Sequence, residues 1–411
     1  MQTFKKSPKL VKIIGTIFLI FGMIPWVNFG LNNYDSQPWT FIFSIIFLTL
    51  IVEVKLPKYS LSIFFFSIFG LIATFFYTNS FESSLALRAI IGYLSLPVLY
   101  VAFYNYFIRY GFPIKLFILF NILWISFGFL EFLIPEFIDL ISKKRTNAAR
   151  GVTSLAPEPT FFGVYLFFSS WIIVESKKFI IDSKKKILIL INIFCIIFLA
   201  KSATVAVFLA LVVFFLFIYK ILYFSFKLSV SKKKLINYIL FSVAICSFIF
   251  LLRNQLSGAR IYSIFIKIIN EKSLLSLLVE DWSINSRVES VYLSVVGTFD
   301  NYLIPAGLDS FKYMQLELFE NITSDIFANR YRSMKVSSWN GSLFYELGIF
   351  GICIVILFFK AIYRNFNGSV LYFLTLFIIL FSAIPIGFTL VPMLFSLMVF
   401  NKYNHPLSED K

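Results

Sequence analysis

The sequence predicts an all-α, polytopic membrane protein with about twelve transmembrane helices (ten to twelve) and a large, partly helical loop outside the membrane. Three observations lead there. Hydrophobic residues make up 59% of the 411 residues and charged residues only 14%, whereas soluble domains average roughly 45–50% and 25%. A soluble fold could not hide so much apolar surface. The apolar residues also form continuous runs of about twenty, the helix length that crosses ~30 Å of hydrocarbon. A transmembrane barrel would instead alternate over strands of about ten residues. Finally, the polar residues are gathered, most of all into one long segment from about Arg253 to Ser338.

Taken in order, apolar runs start near residues 13, 39, 59, 85 and 114, which places five helices in 1–135. The first run follows Lys5, Lys6, Lys9 and Lys12 and lacks a small-residue cleavage site, so it reads as a retained anchor. A short outer segment, 136–159, comes next. Runs near 160, 186, 203 and 235 give four helices in 160–252. The large outer segment, 253–338, follows. Runs near 339, 369 and 386 and a cytoplasmic tail complete 339–411. Ala200-Lys201-Ser202-Ala203 joins one closely spaced pair of runs and Pro385-Ile386-Gly387 another; fusing either pair lowers the helix number. Cys195, Cys246 and Cys353 all lie inside apolar runs and read as packing residues, with neither a disulfide nor a metal site.

Charge sets the expected orientation. With twelve spans, the face carrying both termini holds 22 Lys/Arg and 5 Asp/Glu, and the opposite face 15 and 16, so the net charge of +16 belongs to one side. The positive-inside rule makes that side cytoplasmic. The clusters Lys184-Lys185-Lys186 and Lys232-Lys233-Lys234 then act as topology signals and anionic-lipid contacts; nucleic acid is a poor reading of them. The bias toward Lys, Ile, Phe and Asn suits an AT-rich bacterial genome, hence a bacterial cytoplasmic (inner) membrane.

The outer segments carry the chemistry. Residues 258–280 show an i, i+3, i+4 apolar pattern at Ile261, Ile264, Phe265, Ile268 and Ile269, which predicts an amphipathic surface helix. Ser286-Arg287-Val288-Glu289 has the form of a capping box. It would put Arg287 in a helix's first turn, where a cation is favourable only with an anion beside it. That helix should end near Gly297, ahead of a turn at Ile304-Pro305-Ala306-Gly307. The shorter segment holds Lys143, Lys144, Arg145 and Arg150, then Glu158 bracketed by Pro157 and Pro159, with Thr160 as a cap for the following helix. Glu346, two turns into an apolar run, is an ionisable residue where one is costly and marks a functional candidate. Lys201, at an outer turn, is a similar case.

Together these pieces resemble the Wzy O-antigen polymerase family, related to the O-antigen ligases. The resemblance rests on the helix number and late outer loop, on Ala156-Pro157-Glu158-Pro159-Thr160-Phe161-Phe162-Gly163, on Ser286-Arg287 followed by Ile304-Pro305-Ala306-Gly307, and on Asn340 with Glu346-Leu347-Gly348-Ile349-Phe350-Gly351. It spans most of residues 140–355. Trp339 stands where the ligases usually carry a histidine, and the single histidine, His405, lies in the tail.

The resemblance implies a GT-C-like membrane fold and a repeat-unit polymerase. Donor and acceptor would be undecaprenyl-pyrophosphate-linked glycans, with a chain-length regulator and a flippase as further partners. An acceptor hydroxyl would attack the anomeric carbon and lipid pyrophosphate would leave. Charge develops on that leaving group, so cations are needed there. Arg287 and Arg150 lead, with Arg145, Lys201, Arg330, Arg332 and Asn340 as further substrate-binding candidates. Arginine suits phosphate because its planar fork binds two oxygens at once. Glu158 is the first choice of general base and Glu346 the second. The chain contains no Asp-x-Asp sequence, so metal-independent transfer without a cofactor is expected. A ligase-type glycan transferase and a polysaccharide flippase or transporter remain the alternative readings.

Overall fold

A computed structural model describes residues 8–27, 37–78, 83–136, 151–176, 179–226, 282–308, 310–311, 336–363, 370–382 and 384–403. Among them the structure is helical throughout. The helices are α1 (Pro8–Met23), α2 (Trp39–Leu50), α3 (Ser60–Phe76), α4 (Ser83–Tyr110), α5 (Ile114–Leu133), α6 (Pro159–Glu175), α7 (Asp182–Cys195), α8 (Ala203–Phe226), α9 (Trp282–Asp300), α10 (Trp339–Leu347), α11 (Ile349–Tyr363), α12 (Val370–Ile379) and α13 (Leu390–Tyr403). A π-helical turn, Ile196–Ala200, extends α7.

Two stretches, Ala86–Tyr110 and Ile114–Leu133, are long and apolar enough to cross a membrane. The other apolar stretches, among them Trp39–Leu50 and Val370–Ile379, have 10–17 residues. α8 itself runs for 24 residues, and helices such as α2 fall short of their sequence runs because apolar side chains continue past the helix ends. Ile51, for example, is extended with ψ 132° although its run goes on. The run near 339 is divided by Gly348, whose φ of +56° ends α10 and lets α11 start at Ile349. The run near 235 and the amphipathic pattern at 258–280 lie outside the described residues.

Packed helices run both antiparallel and parallel to one another. Gly15 packs on Phe47 and Gly22 on Thr40, so α1 and α2 are antiparallel. Gly92 meets Ile386, Ser396 donates to the Tyr100 carbonyl, and Phe107 meets Phe400, so α4 and α13 run the same way. Asn401 donates to the carbonyl of Glu175, aligning α6 with both. The turns therefore gather at two ends. One holds residues 24–27, 77–78, 151–158, 201–202, 301–308 and 384–389, and is called the Arg287 end. The other holds 51–59, 111–113 and 176–181, and is called the Lys58 end.

Aromatic side chains fill the interior. Trp26 lies between Phe161 and Phe388, with centroids at 5.2 and 5.1 Å, and Trp124 stacks on Tyr165 at 4.1 Å. Asn121 donates to Asn192, which donates to Ser170, tying α5, α7 and α6 together in an otherwise apolar core. The outer surface is apolar as well: Leu61, Phe65, Phe69 and Phe76 on α3 and Val213, Phe214 and Phe217 on α8 are exposed. Cys195 and Cys353 are unpaired, and Cys246 lies outside the described residues.

Candidate functional site

The shorter polar segment is fixed from below by a carboxylate. Glu131, at the end of α5, is only 5% exposed. Its Oε2 accepts from the backbone N–H groups of Thr153 and Ser154, both at 2.7 Å, and from the Thr153 hydroxyl at 3.1 Å. Two successive amides closing on one anion form a backbone nest; Ser154 accordingly has a left-handed φ of +53°. Its hydroxyl donates to the Trp124 carbonyl at 2.6 Å. Upstream, Val152 N–H donates to the Leu199 carbonyl at 2.9 Å, and a Cβ on Gly151 would collide with the Ala200 carbonyl. The segment is thus clamped between α5 and the π-helical turn before it reaches Glu158.

Glu158 occupies the N-cap position of α6 with extended backbone, and Pro159 is the first helical residue. Proline suits that place because its missing N–H has no acceptor there in any case. This corrects the expectation that Thr160 caps the helix. Thr160 lies inside the first turn, and its hydroxyl has another task.

Gly163 lets α8 approach α6 closely: a Cβ there would sit 3.0 Å from Val205. The first turns of α6 and α8 are therefore side by side, with Thr160 next to Thr204. Arg287 on α9 reaches both. Its Nη2 donates to Thr160 Oγ1 at 3.1 Å and its Nη1 to Thr204 Oγ1. Hence a half-buried guanidinium stands at two helix N-termini, two residues along from Glu158 and three from Lys201. Helix N-termini carry partial positive charge, so guanidinium and dipoles add. Lys201 itself has φ +48° at the turn between α7 and α8.

The helix bearing Arg287 starts earlier than its capping-box pattern implies. α9 begins at Trp282, so Ser286 is interior and Arg287 lies in the second turn; the helix runs past Gly297 to Asp300. The serine spacing serves packing instead. Ser337 N–H donates to Ser290 Oγ at 3.0 Å, and a Cβ on Gly341 would collide with the Ser294 hydroxyl. Tertiary contact overrides a local capping signal whose strength is about 1 kcal/mol.

The remaining motif pieces interlock. Ala306 N–H donates to the Tyr345 carbonyl at 3.2 Å and Ile349 N–H to the Leu303 carbonyl at 2.8 Å. Leu308 N–H donates to Thr78 Oγ1 at 3.0 Å. A Cβ on Gly307 would strike the Tyr77 carbonyl, and one on Gly348 the Leu303 carbonyl. The turn at Pro305 is therefore seated on α3 and on the α10–α11 break through bare backbone.

Glu346 and Asn340 are bound into that block. Tyr93 on α4 donates to Glu346 Oε2 at 2.7 Å, and Thr74 on α3 donates to the Glu346 carbonyl at 2.8 Å. Asn340 is fully buried; its Nδ2 donates to the Phe377 carbonyl at 2.8 Å and its N–H to the Leu380 carbonyl at 2.9 Å, while its Oδ1 has no hydrogen-bond partner among the described residues. Ser338 caps α10, accepting from Gly341 N–H at 2.8 Å. Arg145, Arg150, Arg330 and Arg332 lie outside the described residues.

Comparison with family models, with curated proteins and with solved structures returned no match. The site accordingly stands on its own geometry. Sequence reasoning passed over Glu131, Thr204 and Tyr93. The rule that marks Glu346, an ionisable residue inside an apolar run, marks Glu131 equally. Thr204 and Tyr93 carry no such signal, because hydroxyls are common in helices.

Proposed function

We propose that this chain is a multi-pass enzyme of the bacterial cytoplasmic membrane, with about twelve spans and its Arg287 end outside. On this reading it is a polysaccharide repeat-unit polymerase of the Wzy type. The exposed apolar surface supports membrane residence, since soluble proteins rarely expose contiguous apolar patches beyond a few hundred Å². The observation that carries the activity is the bond from Arg287 to Thr160. It joins the two polar segments at the point where Glu158 leaves one and α9 brings in the other.

The reaction then runs as follows. Glu158 takes the proton from an acceptor sugar hydroxyl; the oxygen bonds to the anomeric carbon of the donor glycan. The bond from that carbon to lipid pyrophosphate breaks, and the leaving group takes the electron pair. Arg287 and the N-termini of α6 and α8 stabilise the charge gained by the pyrophosphate. Threonine hydroxyls hold the guanidinium in place while leaving it charged, since they accept a hydrogen bond without neutralising it. Glu346, engaged by Tyr93, is second to Glu158 as base.

The test is glycan electrophoresis of a deletion strain complemented with variants. Arg287→Ala is expected to cut polymerisation by about 100-fold or more, the scale for losing one preorganised charge-stabilising donor. It should leave single repeat units at the surface. Glu158→Gln should reduce the ladder more than Glu346→Gln. A normal ladder from Arg287→Ala refutes the reading, and the reverse order of the two glutamate variants reassigns the base. Loss of all surface glycan on deletion points instead to a ligase or flippase.

A further inference from the structure

The Lys58 end holds a group of residues that the proposed reaction leaves unused. Lys58 Nζ lies 5.0 Å and Lys360 Nζ 5.5 Å from the centroid of the same ring, Tyr59. One lysine comes from the α2–α3 linker and the other from the last turn of α11. Both ammonium groups thus stand beside one ring. The ring face attracts each only weakly at an exposed site.

The linker is built to hold them there. Tyr59 has φ +63°, a left-handed conformation uncommon for a bulky side chain. Asn105 accepts from Lys55 N–H and donates to the Lys55 carbonyl, both at 2.8 Å, and Tyr100 donates to the Lys58 carbonyl at 3.4 Å. Backbone strain of this kind persists only where the surroundings enforce it, and it collects at ligand sites.

A second feature points to an anion. Ser60, the first residue of the seventeen-residue α3, is buried at 2% exposure, and its hydroxyl has no hydrogen-bond partner among the described residues. Lys58 and Lys360 thus flank the Tyr59 ring, and Ser60 with the α3 N-terminus follows that ring directly in the chain. The linker's one carboxylate, Glu53, is exposed, and Arg109 is held on its carbonyl oxygen. Leu56 and Leu61, beside the site, are exposed apolar side chains on which an acyl chain would lie.

We propose that Lys58, Lys360, Ser60 and the α3 N-terminus bind the phosphate of an anionic phospholipid headgroup. Phosphate matches the donors because several oxygens can take hydrogen bonds and charge at once, and the exposed leucines favour a lipid source over a free anion. The proposal rests on the membrane residence proposed above and is independent of the polymerase chemistry.

Purified full-length protein in nanodiscs tests it. Phosphatidylglycerol in phosphatidylcholine discs is expected to raise the thermal midpoint over phosphatidylcholine alone. K58Q/K360Q should lose about thirtyfold in affinity for the anionic lipid, from the two surface charges removed, and with it most of that rise. K58R/K360R and a control at the same end, Lys115→Gln, should keep it. An equal rise in wild type and K58Q/K360Q overturns the proposal. The same rise from inorganic phosphate in phosphatidylcholine discs overturns the lipid source. Native mass spectrometry of the wild type decides independently of how the variants fold: absence of retained phosphatidylglycerol overturns it. The glycan ladder is read separately, so failure of the polymerase reading is distinguishable.

Discussion

The two ends of the bundle hold their turns by different means. At the Arg287 end, chain crossings are made by backbone against backbone. Gly151, Gly307 and Gly348 have φ of +116°, +91° and +56°, and a Cβ on each would strike a carbonyl of another segment. A buried carboxylate, Glu131, is sunk into two amides of the same region. At the Lys58 end the turn has only conformational demands. Gly111 has φ +73°, yet nothing lies within 4 Å of where its Cβ would be. Its linkers are held by side chains, notably Asn105 and Tyr100. The difference teaches where geometry is required: a backbone clamp has almost no slack, whereas a long side chain adjusts.

Substitutions can break this comparison, and they rank by how much slack remains. Gly348→Ala is expected to have the largest effect. It adds both left-handed strain, ~1–3 kcal/mol, and a steric clash with the Leu303 carbonyl. Denaturation in detergent should show a loss above ~3 kcal/mol or no folded protein; near-wild-type stability would mean that the Pro305 turn is not seated as described. Glu131→Ala comes next. It strands two buried amides and a hydroxyl, each worth ~1–3 kcal/mol, so a loss of about 4 kcal/mol is expected. Glu131→Gln, which keeps one carbonyl acceptor, should recover part of it; equal effects of the two variants would deny the nest. Gly111→Asn should be smallest, within ~1 kcal/mol, because asparagine tolerates left-handed backbone and the space is open. A large loss there would erase the contrast between the ends.

Legibility in the sequence followed the range of each signal. The helical class needed only composition and run length. The turns at Lys201 and at Pro385–Gly387 showed because small residues and proline interrupt apolar runs. Helix starts were less legible. The capping box at Ser286 and the cap at Thr160 both yielded to tertiary contacts, since Ser290 and Ser294 pack on residues 337–341 and Thr160 receives Arg287. At the site, Glu158 and Arg287 stood out by residue type and setting. Glu131 had equal claim, but its role depends on which amides fold over it, and no spacing rule encodes that.

The sequence by itself determined the class of structure, the polar segments and the residue types available for chemistry. These depend on transfer energies and local periodicity, which act at any position in the chain. Only the tertiary structure decided that Arg287 meets Thr160 and Thr204, that Pro305 sits on Gly348, and that Lys58 and Lys360 share one ring. Those pairings join residues far apart in the chain. They follow from close approach at a few glycines, which only the packed bundle can select.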